Sequence, residues 1–225
     1  MGDLRPVEFA ELAVDLRGDF DLANTVRSIP EHASAYTNCD QASVVVGEHR
    51  PVKVASATNS QARHADQLQV ELEEGPGAAA MASGQAVVVD DISAGDRWQR
   101  WTSQAAELGF TGVISVRLST KVATIGALNL YVTRPAEFDD DDIRAAEVFA
   151  RHAALAVDSA HRISTLRRAV DDRTIIGQAL GILSQRHGLD ATRAYAMLER
   201  YAKDEHVGLR DGAEEVIAGR LPAQR

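Results

Sequence analysis

The spacing of apolar positions changes repeatedly along the chain, and each change predicts a different element. Phe9, Leu12, Leu16, Phe20 and Leu22 recur at roughly helical spacing across residues 8–29, interrupted by Gly18, so one helix or two short ones are expected. The period then shortens. ASVVVGEHRPVKVASA, 42–57, reads as two β-rich runs around a turn from Gly47 to Pro51, an antiparallel hairpin. Ala62 to Leu72 reads as a helical connection. It leads into EEGPGAAAMASGQAVVVDD, with a Gly-Pro-Gly stop, a short Ala-rich helix and a strand from Ala86 to Val89. A helix and loop around DRWQRWTSQAAELGF separate that strand from two more, GVISVRLS at 112–119 and VATIGALNLYVT at 122–133. Mixed antiparallel strands with helices at both ends indicate an α+β class.

From Glu137 the pattern becomes helical again and stays so. EFDDDDIRAAEVFARHAALAVDSAHRISTLRRAVDDR holds no proline or glycine, and Asp139 to Asp142 suit the positive end of a helix dipole. One long helix is expected. Its apolar positions, Ile143, Ala146, Phe149/Ala150, Ala153, Ala156/Val157, Ala160, Ile163, Leu166 and Val170, keep a spacing of three and four, a longer stripe than one small domain covers. The first half is expected to lie across its own sheet and the second to form a parallel coiled-coil stalk with a second copy. After Val170 a small unit of three short helices is expected: Ile175/Ile176, Ala179, Leu180 and Leu183 on one face, a break at HGLD with Asp190 as N-cap, then Ala194, Tyr195, Met197/Leu198 and Tyr201, then VGLRDGAEEVIAG. Such a bundle is marginal alone, and a stalk or dimer partner would help to hold it.

Composition narrows the function. The 225 residues, 45% of them hydrophobic, suffice for one large domain or two modest ones. The only cysteine, Cys39, permits neither an internal disulfide nor a cysteine metal cluster, which fits a reducing cytoplasm. The first residues are acidic and amphipathic, unlike a signal peptide, and no apolar run is long enough to span a bilayer, so no membrane association is expected. A net charge of −9 argues against phosphate binding until it is divided. Residues 1–161 carry 13 Lys+Arg against 24 Asp+Glu, whereas residues 162–225 carry 11 against 9. All the excess acid lies in the first part.

No enzymatic motif stands out: HExxH, a Walker A run, GxSxG and GxGxxG are all missing. His64 near Asp66, and His152 on a helical face, read as solvated or packed histidines rather than bases or ligands. Consecutive aspartates at 139–142 point in different directions, and the helix dipole accounts for them without an ion, so no metal site is assigned. Cys39, just before the first strand, reads as packing, with a reactive thiol or a thioether-linked chromophore as the alternative. Trp98, Trp101 and Phe110 gather in a loop-rich segment and are either core or the lining of a ligand pocket.

The stretch RTIIGQALGILSQRHGLDATRAYAMLERYA, 173–202, followed by LRDGAEEVI, closely resembles an ANTAR domain. Ile176, Ala179, Gly181, Ile182, Leu183, Arg186, Gly188, Ala194, Tyr195, Leu198, Leu209 and Ala213 occupy the positions of that pattern. Leu180 stands where the family often has lysine, which removes one candidate phosphate contact. Ahead of it, the order of elements and IGALNLYVTRPAEFDDDDIRAAEVFARHAALAV resemble a GAF domain, most clearly in the G-x-L-N-L-Y strand leading into a long helix. The pairing is similar to actinobacterial GAF–ANTAR regulators, with residues 1–161 as GAF-like sensor and 162–225 as ANTAR domain.

The resemblance implies a transcription antitermination regulator without enzymatic activity, a dimer whose ANTAR domains hold paired RNA stem-loops so that a terminator cannot form. Arg173, Gln178, Arg186, Arg193, Arg200 and Lys203 are then candidate donors to RNA, Tyr195 is either a base-stacking ring or core, and Ala179 and Gly181 mark a close approach to the helix backbone, by the next helix or by RNA. A small molecule in the GAF-like domain is implied as well, although no residue selects one and no cofactor is named. Two other readings stand beside it. One is a GAF-fold methionine sulfoxide reductase, whose cysteine chemistry is missing here; the other is a signal-responsive protein adaptor that binds no RNA.

Overall fold

The computed structural model describes residues 21–47, 52–94, 97–135 and 138–220. Phe9, Leu12, Leu16 and Phe20 lie outside the described residues. The chain divides into two compact units, Met1–Arg162 and Ile163–Arg225.

In the first unit, helix α1 (Leu22–Tyr36) begins at Asp21, whose side chain accepts hydrogen bonds from the backbone N–H of Ala23 and Asn24 at 2.8 and 3.0 Å. Strands β1 (Gln41–Val46) and β2 (Lys53–Ala57) follow, then α2 (Ser60–Leu72), α3 (Pro76–Ser83), β3 (Val87–Val89), α4 (Gln99–Glu107), β4 (Gly112–Ser119), β5 (Thr124–Val132) and α5 (Asp140–His187). The five strands form one sheet in the order β2-β1-β5-β4-β3, and every pairing is antiparallel.

Side chains alternate across this sheet, so each face acquires its own core. Ala42, Val44, Ile114, Val116, Leu118, Leu128 and Leu130 point to one face, where they pack with Ile29 and Ala33 of α1 and with Ala146, Phe149, Ala150, Ala153, Ala154 and Val157 of α5. On the opposite face, Val113 and Tyr131 pack with Ala62, Ala65 and Leu68 of α2, Trp101 and Ala105 of α4, Ile92 and Phe110. The alanines let α5 lie close to the sheet while Phe149 fills the space between.

Helix α5 is longer than its pattern predicts. It runs 48 residues without interruption to His187, so the first helix of the expected three-helix unit is its continuation. Nothing between Asp140 and Ile176 breaks a helix, and the glycines at 177 and 181 only weaken one, by about 1 kcal/mol each relative to alanine. Asp139 accepts from the N–H of Asp141 and Asp142 at 2.8 and 2.9 Å, and Asp142 reaches back to the N–H of Asp139 at 3.2 Å. This reciprocal cap gives the aspartate run a local role.

The second unit comprises the part of α5 from Ile163 onward, α6 (Ala191–Asp204) and α7 (Leu209–Ile217). Gly188 takes a left-handed conformation, φ 66°, that ends α5, and Asp190 caps α6 by accepting from the N–H of Arg193 at 2.8 Å. Ala179 and Leu183 of α5, Ala194, Met197 and Leu198 of α6, and Ala213 and Val216 of α7 form its core. Gly212 permits the last crossing, since a Cβ there would stand 3.3 Å from that of Ala202. Arg210 ties α7 to α5 through an ion pair with Asp172 and also bonds Glu214 at 3.0 Å.

Candidate functional site

Two surfaces of different chemistry stand out, one in each unit. The first is a cavity of about 390 Å³ lined by Val45 of β1, Val52, Gln69, Val70 and Glu73 of and just after α2, Gly77, Ala78 and Met81 of α3, and Asn129 of β5. Most of that lining is aliphatic. Its polar floor is built from α2 and β5 and fixed by a carboxyl behind it. Asp66 Oδ1 accepts hydrogen bonds from Gln69 Nε2 (3.1 Å), Asn129 Nδ2 (2.9 Å) and Tyr131 Oη (2.6 Å), while Gln69 Nε2 also donates to Tyr131 Oη at 3.0 Å. Asn129 Oδ1 accepts from the Ser115 hydroxyl at 2.6 Å. Gln69 Oε1 accepts from the N–H of Gly77 at 2.8 Å.

The sheet register explains how these groups meet. Ser43, Asn129 and Ser115 are direct cross-strand partners on β1, β5 and β4, which makes a polar row across the face toward α2. The loop into α3 closes over it only because it is Gly-Pro-Gly. A Cβ on Gly77 would stand 2.8 Å from Asn129 Oδ1, and one on Gly75, at φ 145°, would stand 2.4 Å from Gln69 Oε1. Burial pushes the Asp66 carboxyl above its ordinary value, against the opposing effect of the nearby Ser43 hydroxyl and of the Tyr131, Asn129 and Gln69 hydrogen bonds. The Tyr131 hydroxyl is raised too, by burial and by the nearby Asp66.

Trp98, Trp101 and Phe110, read from the sequence as either core or pocket lining, do not line this cavity. Trp101 and Phe110 are core: the Trp101 indole N–H donates to the Ala65 carbonyl at 3.0 Å, and the Phe110 ring stacks on Tyr131 at 4.5 Å between centroids. Trp98, in a left-handed conformation before α4, is half-buried beneath the Arg97 guanidinium, 4.3 Å from its ring centre. The aromatic cluster props the sheet behind the site instead. Asp66 and Gln69 carry no motif that sequence reading would have found. Asn129 did leave a signal, an amide in the middle of an otherwise apolar strand. Cys39 is half-buried, with the Thr37 hydroxyl donating to its Sγ at 3.3 Å, and desolvation raises its thiol pKa, the opposite of what an activated nucleophile needs.

The second surface belongs to the helical unit. Tyr195 is 44% exposed, which settles its choice between core and surface in favour of surface. Arg173, Gln178, Gly181, Arg186, Arg193, Arg200 and Lys203 are exposed as well. Ala179 is fully buried against the other helices, so its place in the pattern reflects packing and not an outward contact. Arg173, Arg186 and Arg200 make no ion pair among the described residues, whereas Arg193 meets Asp190 at 3.7 Å and Lys203 meets Glu199 at 3.1 Å.

These residues fall on several faces. On α6, Arg193, Arg200 and Lys203 share one side at i, i+7 and i+10, and Tyr195 lies about 160° around from Arg193 at 3.6 residues per turn. On α5, Arg186 flanks the buried Ala179 and is about 140° from Arg173. The side of α5 turned away from its own bundle carries Ile163, Leu166, Val170, Gly177 and Gly181, with Leu166 66% and Val170 62% exposed. Among the described residues a Cβ at Gly177 or Gly181 would meet no atom within 4 Å, so no other described helix approaches the backbone there.

Among the described residues no helix is long and apolar enough to cross a membrane, and no group of three or more His, Cys, Asp or Glu is placed to hold a metal. No curated protein matches the chain. Solved structures match its fold. The domain of a putative two-component sensor histidine kinase from Sinorhizobium meliloti aligns at 18% identity and TM-score 0.53, covering 64% of this chain and 95% of its own. The GAF domain of an Acinetobacter phosphoenolpyruvate-protein phosphotransferase aligns at 13% identity and TM-score 0.56, covering 72% and 98%. The free methionine-R-sulfoxide reductase of Neisseria meningitidis, in complex with its substrate, aligns at 15% and 0.53, covering 68% and 88%. Family models identify a GAF domain over residues 21–158 and an ANTAR domain over 164–217. The sheet with its paired helical layers and the three-helix unit after it thus have their explanation: the chain belongs to the GAF domain family and carries an ANTAR domain behind it, the arrangement of a GAF–ANTAR regulator.

Proposed function

We propose that the protein is a cytoplasmic RNA-binding antitermination regulator, in which residues 1–161 sense a small molecule and residues 162–225 hold RNA. The observation that carries this reading is the surface of the ANTAR unit: an exposed aromatic ring, Tyr195, with Arg173, Arg186 and Arg200 unpaired among the described residues. Loop bases of RNA stack on such rings, and guanidinium groups engage phosphates. The local balance of 11 Lys+Arg against 9 Asp+Glu supports it, because the acidic excess of the whole chain lies in the sensor.

The outer side of α5 supports a homodimer. Ile163, Val170 and Gly177 recur every seven residues with Leu166 between the first two, a seam that a second copy of the same helix fits in parallel. Two ANTAR units held at a set distance then bind adjacent stem-loops with the gain of effective concentration, and a ligand that alters the seam alters RNA affinity. Turnover is no part of this reading. The one thiol, Cys39, is half-buried with a raised pKa and lacks a resolving partner.

The test is retention of a pool of paired stem-loop RNAs with randomised loops by the full-length protein, repeated across salt concentrations. RNA binding predicts retention that falls with salt, with a log–log slope of about −0.7 per contacted single-strand phosphate, and that is lost in Tyr195→Ala/Arg200→Ala. An adaptor that binds protein instead would retain no RNA at any salt.

A further inference from the structure

We infer that the Arg173 side chains of two copies meet at the α5 seam and hold one phosphate group between them, so that dimerisation and phosphate binding are coupled. The phosphate belongs to the backbone of bound RNA or is a free phosphate ion. This rests on the parallel homodimer proposed above and adds an anion site that neither copy forms alone.

The seam places the residue. Arg173 follows Leu166 by seven, so the order along α5 is Ile163, Leu166, Val170, Arg173 and Gly177, with spacings of three and four throughout. In a parallel two-stranded coil, each seam residue faces its own counterpart. Ile163, Leu166 and Val170 then meet apolar side chains, whereas Arg173 meets a second guanidinium. Two like charges brought together in a partly dehydrated seam repel more strongly than they would in water. The apolar half of the seam favours association, and the Arg173 position opposes it.

The positions along α5 that could relieve this charge carry none. A helical ion pair needs an acid three or four residues away, and those positions around Arg173 are Ala169, Val170, Ile176 and Gly177. Arg167 and Arg168 differ, because Asp171 and Asp172 follow them by four. Asp172, next to Arg173 in the chain, is engaged by Arg210 of α7. Asp171 stands about 160° around the helix from Arg173 at 3.6 residues per turn. Arg173 itself is exposed.

Gly177 keeps the place open. A helical side chain covers the turn N-terminal to its own Cα, so a larger residue at 177 would lean over the turn of Arg173. A Cβ there would meet no atom of the described residues within 4 Å, so packing within the chain does not demand this glycine. A guanidinium is a planar fork of N–H donors, and phosphate has oxygens enough to accept from two such forks at once. One phosphate between the pair turns a repulsion into two attractions. Because only the dimer offers both forks, the phosphate stabilises the dimer, and by linkage the dimer binds phosphate more tightly.

Sedimentation equilibrium of the full-length protein in chloride, and at matched ionic strength in inorganic phosphate or with a paired stem-loop RNA, tests this beside two variants checked by circular dichroism. The parent's dimer dissociation constant is expected to fall at least about tenfold once phosphate exceeds its own Kd by that factor. Arg173→Leu, which makes the seam apolar, is expected to dimerise more tightly than the parent in chloride and to gain nothing from phosphate. Its tightening by RNA is expected to be at least about tenfold smaller than the parent's. A parent that responds to inorganic phosphate shows that the free ion suffices. One that responds to RNA alone, by an amount that Arg173→Leu loses, assigns the site to the RNA backbone. Val170→Asp, which breaks the seam itself, is expected to be monomeric. If it is, and Arg173→Leu matches the parent with both probes, the seam stands and the phosphate site is overturned. If Val170→Asp dimerises as the parent does, or the parent is monomeric throughout, the homodimer reading falls and the site with it.

Discussion

Replacing Asp66 by asparagine isolates one proton at the centre of the sensor domain. In the folded chain Asp66 Oδ1 accepts three hydrogen bonds, and Oδ2 is buried without a hydrogen-bond partner, as is the hydroxyl of neighbouring Ser43. A protonated Oδ2 would satisfy Ser43 and itself, in keeping with a carboxyl pKa raised by burial. The folded pKa lies above the unfolded value of about 3.9, so the group's contribution to stability is fully present below that pH and is lost as pH rises through the folded pKa. Between the two values the loss proceeds at up to about 1.4 kcal/mol per pH unit. Asp66→Asn has no such proton. Its amide costs about 1–3 kcal/mol if the new N–H₂ finds no acceptor, but that cost is the same at every pH. Urea unfolding of parent and variant in steps from pH 4 to pH 8 is the assay, and the other titrating groups cancel in the difference. The stability of the parent relative to the variant is expected to decline as pH rises from 4 and then level off. A difference that is flat across this range, or that grows with pH, would refute the assignment of a raised pKa to this carboxyl.

Gly177→Ala/Gly181→Ala should stabilise the helical unit by about 0.4–1 kcal/mol per site, since neither new methyl meets an atom of the described residues, yet weaken dimerisation or RNA retention if that side of α5 is a contact surface; thermal melts and sedimentation read the two effects separately. Leu198→Ala empties the fully buried centre of the same unit and should cost about 2–5 kcal/mol, seen as loss of the helical signal of this unit at lower denaturant. Gly77→Ala places a Cβ 2.8 Å from Asn129 Oδ1 and should lower the melting temperature, read by a thermal melt beside the parent.

Most elements were legible because period and punctuation agreed. The antiparallel pairing of the two runs within 42–57, whose turn lies outside the described residues, the Gly-Pro-Gly start of α3 and the Asp190 cap all stand where the pattern puts them. Helix α5 outruns its expected end at Val170, where the apolar stripe gives way to the motif of the helical unit, because the chain there contains no residue that ends a helix. The site was harder to read. Trp98, Trp101 and Phe110 drew attention through their size, but large aromatics fill cores as readily as pockets. Asp66, Gln69 and Asn129 lie on separate elements, and only the pairing of β1, β5 and β4 beneath α2 brings them together. Ala179 shows the same limit from the other side: one position of a recognisable motif serves packing while its neighbours face outward.

The central claim, that this chain reads RNA through its helical unit, is tested most directly by crosslinking the full-length protein to total cellular RNA beside Arg186→Ala/Tyr195→Ala, both exposed positions whose replacement leaves the core intact. Enrichment of transcripts carrying two adjacent stem-loops, lost in the variant while its circular dichroism is unchanged, is the predicted result. No enrichment over a non-binding control, or enrichment that the variant retains in full, would contradict it.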